Sequence, residues 1–162
     1  KMDSKLAELI KELSKKLHHF TDGRINYKTS QIAPVITVFI KYKDKILLLK
    51  RSDQVLTYQG KWNTVAGYLD EIRDIKDKVL TELEEEIALS QDKIESIKLG
   101  KTFEFEDKDI HKVWLVTPAL VVLKVAPEIK LDREHTEFRW INSKDIGKFD
   151  IVPMFEQSFK NL

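Results

Sequence analysis

Residues 82–86 read Glu-Leu-Glu-Glu-Glu, four carboxylates in five positions. On a helix, like charges three or four residues apart repel by about 0.2–0.5 kcal/mol per pair, so such a run costs stability unless water or a cation compensates it. With Ile75 at the origin of a helical wheel and about 100° per residue, Val79, Leu83, Ile87 and Leu80 form one continuous apolar arc. Glu82, Glu85 and Glu86 share a second arc of about 100° along its border, and Glu84 points elsewhere. Oxygen ligands converging at the edge of a core suit a hard divalent cation such as Mg²⁺. A cation held that way commonly serves phosphate chemistry. A solvated, Glu-rich helix face is the other reading of the same pattern.

To place those carboxylates at a core edge, the chain needs a sheet that receives the apolar arc. From Pro34, the runs VITVFIKY and KILLLKRS flank the two-residue break Lys43-Asp44 and predict a β-hairpin. The loop DQVLTYQGK leads into a short strand, WNTVAG, and a helical period follows from Asp74 to Leu89. SIKLGKTFEFE, KVWLVTPALVVLKV and EFRWI read as further strands, and VPMFEQSFKNL as a closing helix with Pro153 in its first turn. Ahead of all these, Leu6, Leu9, Ile10, Leu13, Leu17 and Phe20 recur at helical spacing, with Asp3 or Ser4 to cap the helix and Gly23 beyond its end. This N-terminal helix either packs on its own domain or serves as a homodimer or partner contact. Strands dominate and many connections are short, so the expected fold is a mixed-sheet α+β or α/β/α sandwich rather than a doubly wound parallel sheet.

Composition narrows the partners. A chain of 162 residues, 42% hydrophobic and 34% charged, is long enough for one domain with a substantial core. Lys and Arg number 28 against 27 Asp and Glu, so net charge gives no strong signal for nucleic acid or a membrane surface. With no cysteine, disulfides, thiolate metal sites and thiol nucleophiles are excluded. No apolar run approaches the ~18–20 residues of a membrane span, and the expected location is the cytoplasm. The four histidines have no paired spacing of the kind a zinc site uses.

The stretch GKWNTVAGYLDEIRDIKDKVLTELEEEIAL resembles the signature of the Nudix hydrolases, G-x5-E-x7-R-E-U-x-E-E-x-G-U, with U a bulky aliphatic residue. Gly67 takes the first glycine, Glu82 and Leu83 the central E-U pair, Glu85 and Glu86 the E-E pair, and Leu89 the last aliphatic. The box spans residues 67–89, and the resemblance as a whole extends over roughly residues 34–150. It implies the Nudix fold, with residues 1–30 as an added helix and connector and residues 31–162 as the hydrolase domain. The box departs from the family at three positions, where Arg73 replaces the first Glu, Thr81 the Arg and Ala88 the last Gly. These changes point to an altered scaffold more than to a lost metal site. Asp74 remains to cap the helix, with Asp77 three residues on in a capping-box-like spacing. Without Gly at position 88, the helix exit is expected at Ser90-Gln91-Asp92.

By the same resemblance, the activity is attack of water on a diphosphate linkage in a nucleoside diphosphate joined to another group. One to three Mg²⁺ or Mn²⁺ ions would be held by Glu82, Glu85, Glu86 and the backbone carbonyl of Ala66. The general base is left open between Glu82 and a residue of the loop EFEDKDIHK, where Glu104, Glu106, Asp107, Asp109 and His111 stand. Arg51 and Glu137 are the expected substrate contacts, and Tyr58, Trp62, Phe105 and Trp114 are candidates to stack on a base. A Nudix-like module that binds a nucleotide without hydrolysing it is the alternative function.

Overall fold

The computed structural model describes residues 2–162. Eight strands form one mixed sheet: β1 (Ile32–Tyr42), β2 (Lys45–Arg51), β3 (Trp62–Asn63), β4 (Val65–Tyr68), β5 (Ile94–Leu99), β6 (Phe103–Asp107), β7 (Lys112–Leu123) and β8 (His135–Ile141). The helices are α1 (Ser4–Lys16), α2 (Ile75–Ile87) and α3 (Phe155–Lys160). The two longest strands, β1 and β7, pair in parallel from Ile32↔Val113 to Lys41↔Val122, and the remaining pairings are antiparallel. The predicted hairpin joins β1 to β2 through Lys43-Asp44, with Lys43 in a left-handed conformation at φ 55°.

Side chains alternate between the faces of a strand. On β1, Ile36, Val38 and Ile40 on one face and Phe39 on the other are all fully buried, so the sheet is covered on both sides. Phe39 meets α3 edge-on, with ring centroids 5.0 Å from Phe155 and 5.4 Å from Phe159. On α2, the predicted apolar arc is buried through Ile75, Val79, Leu83 and Ile87. This is the mixed-sheet sandwich that the strand order implied.

Two expectations about helix ends are corrected. Ala88 itself takes the left-handed exit, at φ 55° and ψ 36°, and donates to the Glu84 carbonyl while the Leu89 N–H bonds to that of Leu83. These bonds satisfy carbonyls at the end of α2, and burial of Leu89 draws the chain inward, so together they outweigh the ~1 kcal/mol penalty of a Cβ in that region. Pro153 lies before α3 rather than in its first turn, because the Phe155 N–H bonds to the Val152 carbonyl and closes a turn over Pro153 that leads into the helix.

Asp3 caps α1 by accepting from the Lys5 N–H, and Leu6 and Ile10 enter the same core cluster as the sheet. Phe20 falls outside that stripe and is 47% exposed. Beyond α1, the chain turns back on itself through a bridge between His19 and Ile25. The Ile25 N–H donates to the Asp70 carbonyl at 2.9 Å and the Tyr27 hydroxyl to the Leu69 carbonyl at 2.7 Å. The N-terminal segment is thereby fastened to the loop between β4 and α2.

Candidate active site

That loop and α2 carry the carboxylates. Asp74 caps α2 by accepting from the Lys76 N–H at 2.9 Å. Glu82 and Glu86 are one turn apart on the buried border of the helix, at 7% and 3% exposure, and Glu85 lies at the open side of the same cavity. Gly67, on β4, faces them closely: a Cβ there would lie 2.5 Å from the Glu82 carboxyl carbon and 2.6 Å from its Oε1. Glycine is needed at this point because the Glu82 carboxylate fills the space a side chain would take. The Ala66 N–H donates to Glu86 Oε1 over a long 3.4 Å. In a strand, the N–H and C=O of one residue face the same side, so the Ala66 carbonyl also faces α2.

The charged groups form a row. Arg24 pairs with Asp22 at 2.7 Å and approaches Asp70 at 3.6 Å, and the Lys78 ammonium sits 3.2 Å from Asp70 and 3.0 Å from Glu82. From Asp22 to Glu82 the signs alternate. Beyond Glu82 the next charged group is the Glu86 carboxylate, one helix turn on and likewise buried, with no cation between the two. Burial, then the Glu82 charge, push the pKa of Glu86 well above the ordinary carboxylate range. Glu82 is also raised, by burial, despite the opposing pull of Lys78. Beyond Glu86, His135 Nε2 lies 3.7 Å from its Oε1, and His135 Nδ1 is 2.9 Å from Asp132. Burial lowers the His135 pKa, so this neighbour is neutral.

A divalent cation fits this donor set. The oxygens are hard, two carboxylates are buried one turn apart with only Lys78 as a cation beside them, and Gly67 leaves room for them. Among the described residues, no three Asp, Glu or His side chains converge on a single point. Glu82 is drawn to Lys78, Glu86 turns inward beside His135, and Glu85 stays at the rim.

The cavity beside the carboxylates has a volume of about 240 Å³. Arg51 borders it, anchored by its Nε–H to the Thr57 carbonyl at 3.0 Å; burial lowers its pKa, and Glu134 and Glu86 oppose that. Tyr58, Tyr68 and Trp114 form an aromatic wall. Trp114 Nε1–H donates to the Tyr58 hydroxyl at 3.0 Å, that hydroxyl donates to Asp107 at 2.7 Å, and Tyr27 stacks behind Tyr68 at 5.4 Å. Thr37 Oγ1 and Asn63 Oδ1, both buried and both bordering the cavity, have no hydrogen-bond partner within the described residues.

The structure thus brings Ala66, Glu82, Glu85 and Arg51 to one cavity, with Glu86 just behind. Glu137 is not among the residues that line this cavity. It pairs with Arg139 at 3.0 Å away from the cavity, and Glu134, before the register shift between Lys50 and Arg51, lines the cavity instead. In the loop EFEDKDIHK, Asp107 accepts a hydrogen bond from Tyr58 of the cavity wall, and the Lys112 ammonium lies over the Trp114 ring at 5.7 Å. Trp62 packs on Phe149 in the core, and Phe105 pairs across strands with Trp114. Two of the altered box residues meet, since Arg73 donates to the Thr81 hydroxyl at 3.1 Å. Sequence reasoning missed Arg24, Tyr68, Asp70, Lys78, Glu134 and His135. Only Lys78 carried a signal, an i,i+4 pairing with Glu82.

The family model described as the NUDIX domain matches residues 31–160. No curated protein matches the chain. Among solved structures, it is similar to an Ap4A hydrolase of C. elegans in a binary complex, at 22% identity over 79% of this chain and 95% of that one, with a TM-score of 0.63. It is similar to a MutT protein of Methanosarcina mazei Go1, at 24% identity over 82% and 93% of the two chains, with a TM-score of 0.64. The NUDIX domain of Shewanella oneidensis NrtR, complexed with ADP ribose, shares 16% identity over 80% and 84%, with a TM-score of 0.66. At these identities the likeness concerns the fold. Among the described residues, no helix is long and apolar enough to cross a membrane.

Proposed function

Because the chain belongs to the NUDIX domain family, we propose that it hydrolyses a diphosphate linkage in a nucleoside diphosphate joined to a second moiety, with Mg²⁺ or Mn²⁺ as cofactor. Glu82, Glu85 and Glu86 would hold the metal, beside the carbonyl of Ala66. When bound, a divalent ion neutralises the diphosphate and lowers the pKa of the attacking water. The observation that carries this reading is geometric: two buried carboxylates one helix turn apart at the edge of a cavity, Glu82 lodged against Gly67 and Glu86 against the Ala66 N–H.

The chain's own groups supply the rest. The Arg51 guanidinium is held by Thr57 and offers a planar fork to phosphate oxygens. Tyr58, Tyr68 and Trp114 offer faces on which a base stacks. Thr37 and Asn63 offer unpaired polar atoms to its edge. Glu82, Glu85 and Glu134 are the glutamates bordering the cavity that can take the proton of the water. A second reading, nucleotide binding without turnover, is favoured by one observation: Lys78 already neutralises part of the Glu82 charge.

The test is a panel of diphosphate-linked nucleotides that includes ADP-ribose, dinucleoside polyphosphates, nucleotide sugars and oxidised nucleotides, with and without Mg²⁺ or Mn²⁺. Products are identified by mass for the native protein and for Glu86→Gln. Metal-dependent cleavage at the diphosphate by the native protein alone is the expected result. Saturable binding of a panel member with no product, at any metal concentration, would establish the second reading.

A further inference from the structure

The proposed reaction leaves one buried charge without a task. Lys78 lies four residues before Glu82, at about 300° on the wheel that places Glu85 and Glu82 on either side of it. It therefore stands inside the carboxylate arc. Its side chain is 5% exposed, and its ammonium fills the gap between the Asp70 carboxylate at 3.2 Å and the Glu82 carboxylate at 3.0 Å. Ion-paired at both distances with a carboxylate on either side, the ammonium is a cation. A buried ammonium is tolerated only when paired, and here both partners are fixed from outside. Asp70 is held through its carbonyl by Ile25 and through its carboxylate by Arg24, and Glu82 is lodged against Gly67.

We propose that Lys78 takes the place of a metal ion on the Asp70-facing side of Glu82, confining added divalent ions to the side of Glu85 and Glu86. The inference rests on the metal-dependent reading above. A fixed positive charge between Asp70 and Glu82 repels a second cation from that gap and leaves the Glu82–Glu86 contact as the place still short of positive charge. The site then takes fewer ions than its carboxylates alone would suggest. Lys78 is a positioning residue here, because it acts through Glu82.

Counting bound Mn²⁺ by electron paramagnetic resonance separates the possibilities. Native protein, Lys78→Ala, Lys78→Arg and Lys78→Gln are titrated in the absence of substrate, so the readout is independent of turnover. Lys78→Ala is expected to bind one more Mn²⁺ per chain than native, and to gain more than native in melting temperature when Mn²⁺ is added. Lys78→Arg, which keeps the charge, should match the native count. Lys78→Gln keeps a hydrogen-bonding side chain without the charge and, with the repulsion of one unit charge a few ångströms away removed, should bind Mn²⁺ at least on the order of tenfold more tightly than native; it decides the matter if the alanine variant does not fold. Equal counts and equal affinities in native, Ala and Gln proteins would overturn the role of Lys78 while leaving the metal site standing. No Mn²⁺ bound by the native protein would overturn the metal-dependent reading itself.

Discussion

At the α2 end of the cavity, charged side chains stand in a row in which Arg24 and Lys78 separate Asp22, Asp70 and Glu82, and the row fails where Glu82 meets Glu86. On the aromatic wall of the same cavity, Tyr58, Tyr68 and Trp114 are braced by ring contacts, and Tyr58 bonds both Trp114 and Asp107. The α2 side carries charge, and the aromatic wall is neutral apart from Asp107 behind it. The difference teaches how the work divides in the proposed function: the first end would hold a cation against a phosphate, and the second would grip a flat ring. A buried unpaired charge costs more than a buried unpaired hydroxyl or amide, so changes at the α2 end should have the larger effects.

The largest effect is expected from Glu86→Gln. Losing this carboxylate should lower kcat by about 10²–10³-fold, several kcal/mol of transition-state stabilisation, measured with a cleaved panel substrate at saturating Mg²⁺. The same variant should raise the melting temperature of the metal-free protein at neutral pH. From the ordinary value near 4.5 up to its raised folded value, Glu86 keeps its proton in the folded chain and has lost it in the unfolded one. Folded protein then binds more protons than unfolded, so native stability without metal falls as pH rises through that window. Melts across pH with chelator present should show the decline in the native protein, a smaller one in Glu86→Gln, and a flatter curve in the native protein with excess Mg²⁺.

Next comes Gly67→Ala. Its Cβ would fall 2.5 Å from the Glu82 carboxyl carbon, and displacing a packed side chain that is also paired with Lys78 should cost about 1–3 kcal/mol. Chemical denaturation measures this. Mn²⁺ affinity should fall with it, which ties the cost to the carboxylate end. A loss of stability with metal affinity intact would break the comparison.

A smaller effect is expected at the aromatic end. Tyr58→Phe removes the hydroxyl that joins Trp114 to Asp107 and should cost about 1 kcal/mol of stability. It should raise KM several-fold with little change in kcat, as uniform binding requires. A fall in kcat with KM unchanged would show that the two ends are not separable. The smallest effect is Ala88→Gly, which relieves the left-handed φ of 55° and should stabilise the protein by about 1 kcal/mol without altering activity.

Much of this architecture is legible in the amino-acid sequence. The arc of Ile75, Val79, Leu83 and Ile87 falls on the core side and Glu82 and Glu86 on its border, because helical periodicity is a local property that the sheet only has to accept. The Lys43-Asp44 hairpin and the Asp74 cap are legible for the same reason. Ala88 departs from its expected role because the bonds of its own exit and the burial of Leu89 outweigh a local preference. Glu137 departs from its expected place because a register shift between Lys50 and Arg51 changes which residues near the start of β8 reach the cavity.

By itself, then, the sequence determined the elements and the spacing of the carboxylates, since both follow from side-chain periods of one helix turn or one strand repeat. Only the tertiary structure decided what those carboxylates meet. Arg24 reaches Asp70 from the N-terminal segment, His135 and Asp132 reach Glu86 from the segment entering β8, and Tyr58 reaches Trp114 from the loop after β2. Those contacts join residues tens of positions apart, and no local period encodes them. They arise where the parallel pairing of β1 with β7 and the return of β8 onto β2 bring distant chain segments to one cavity.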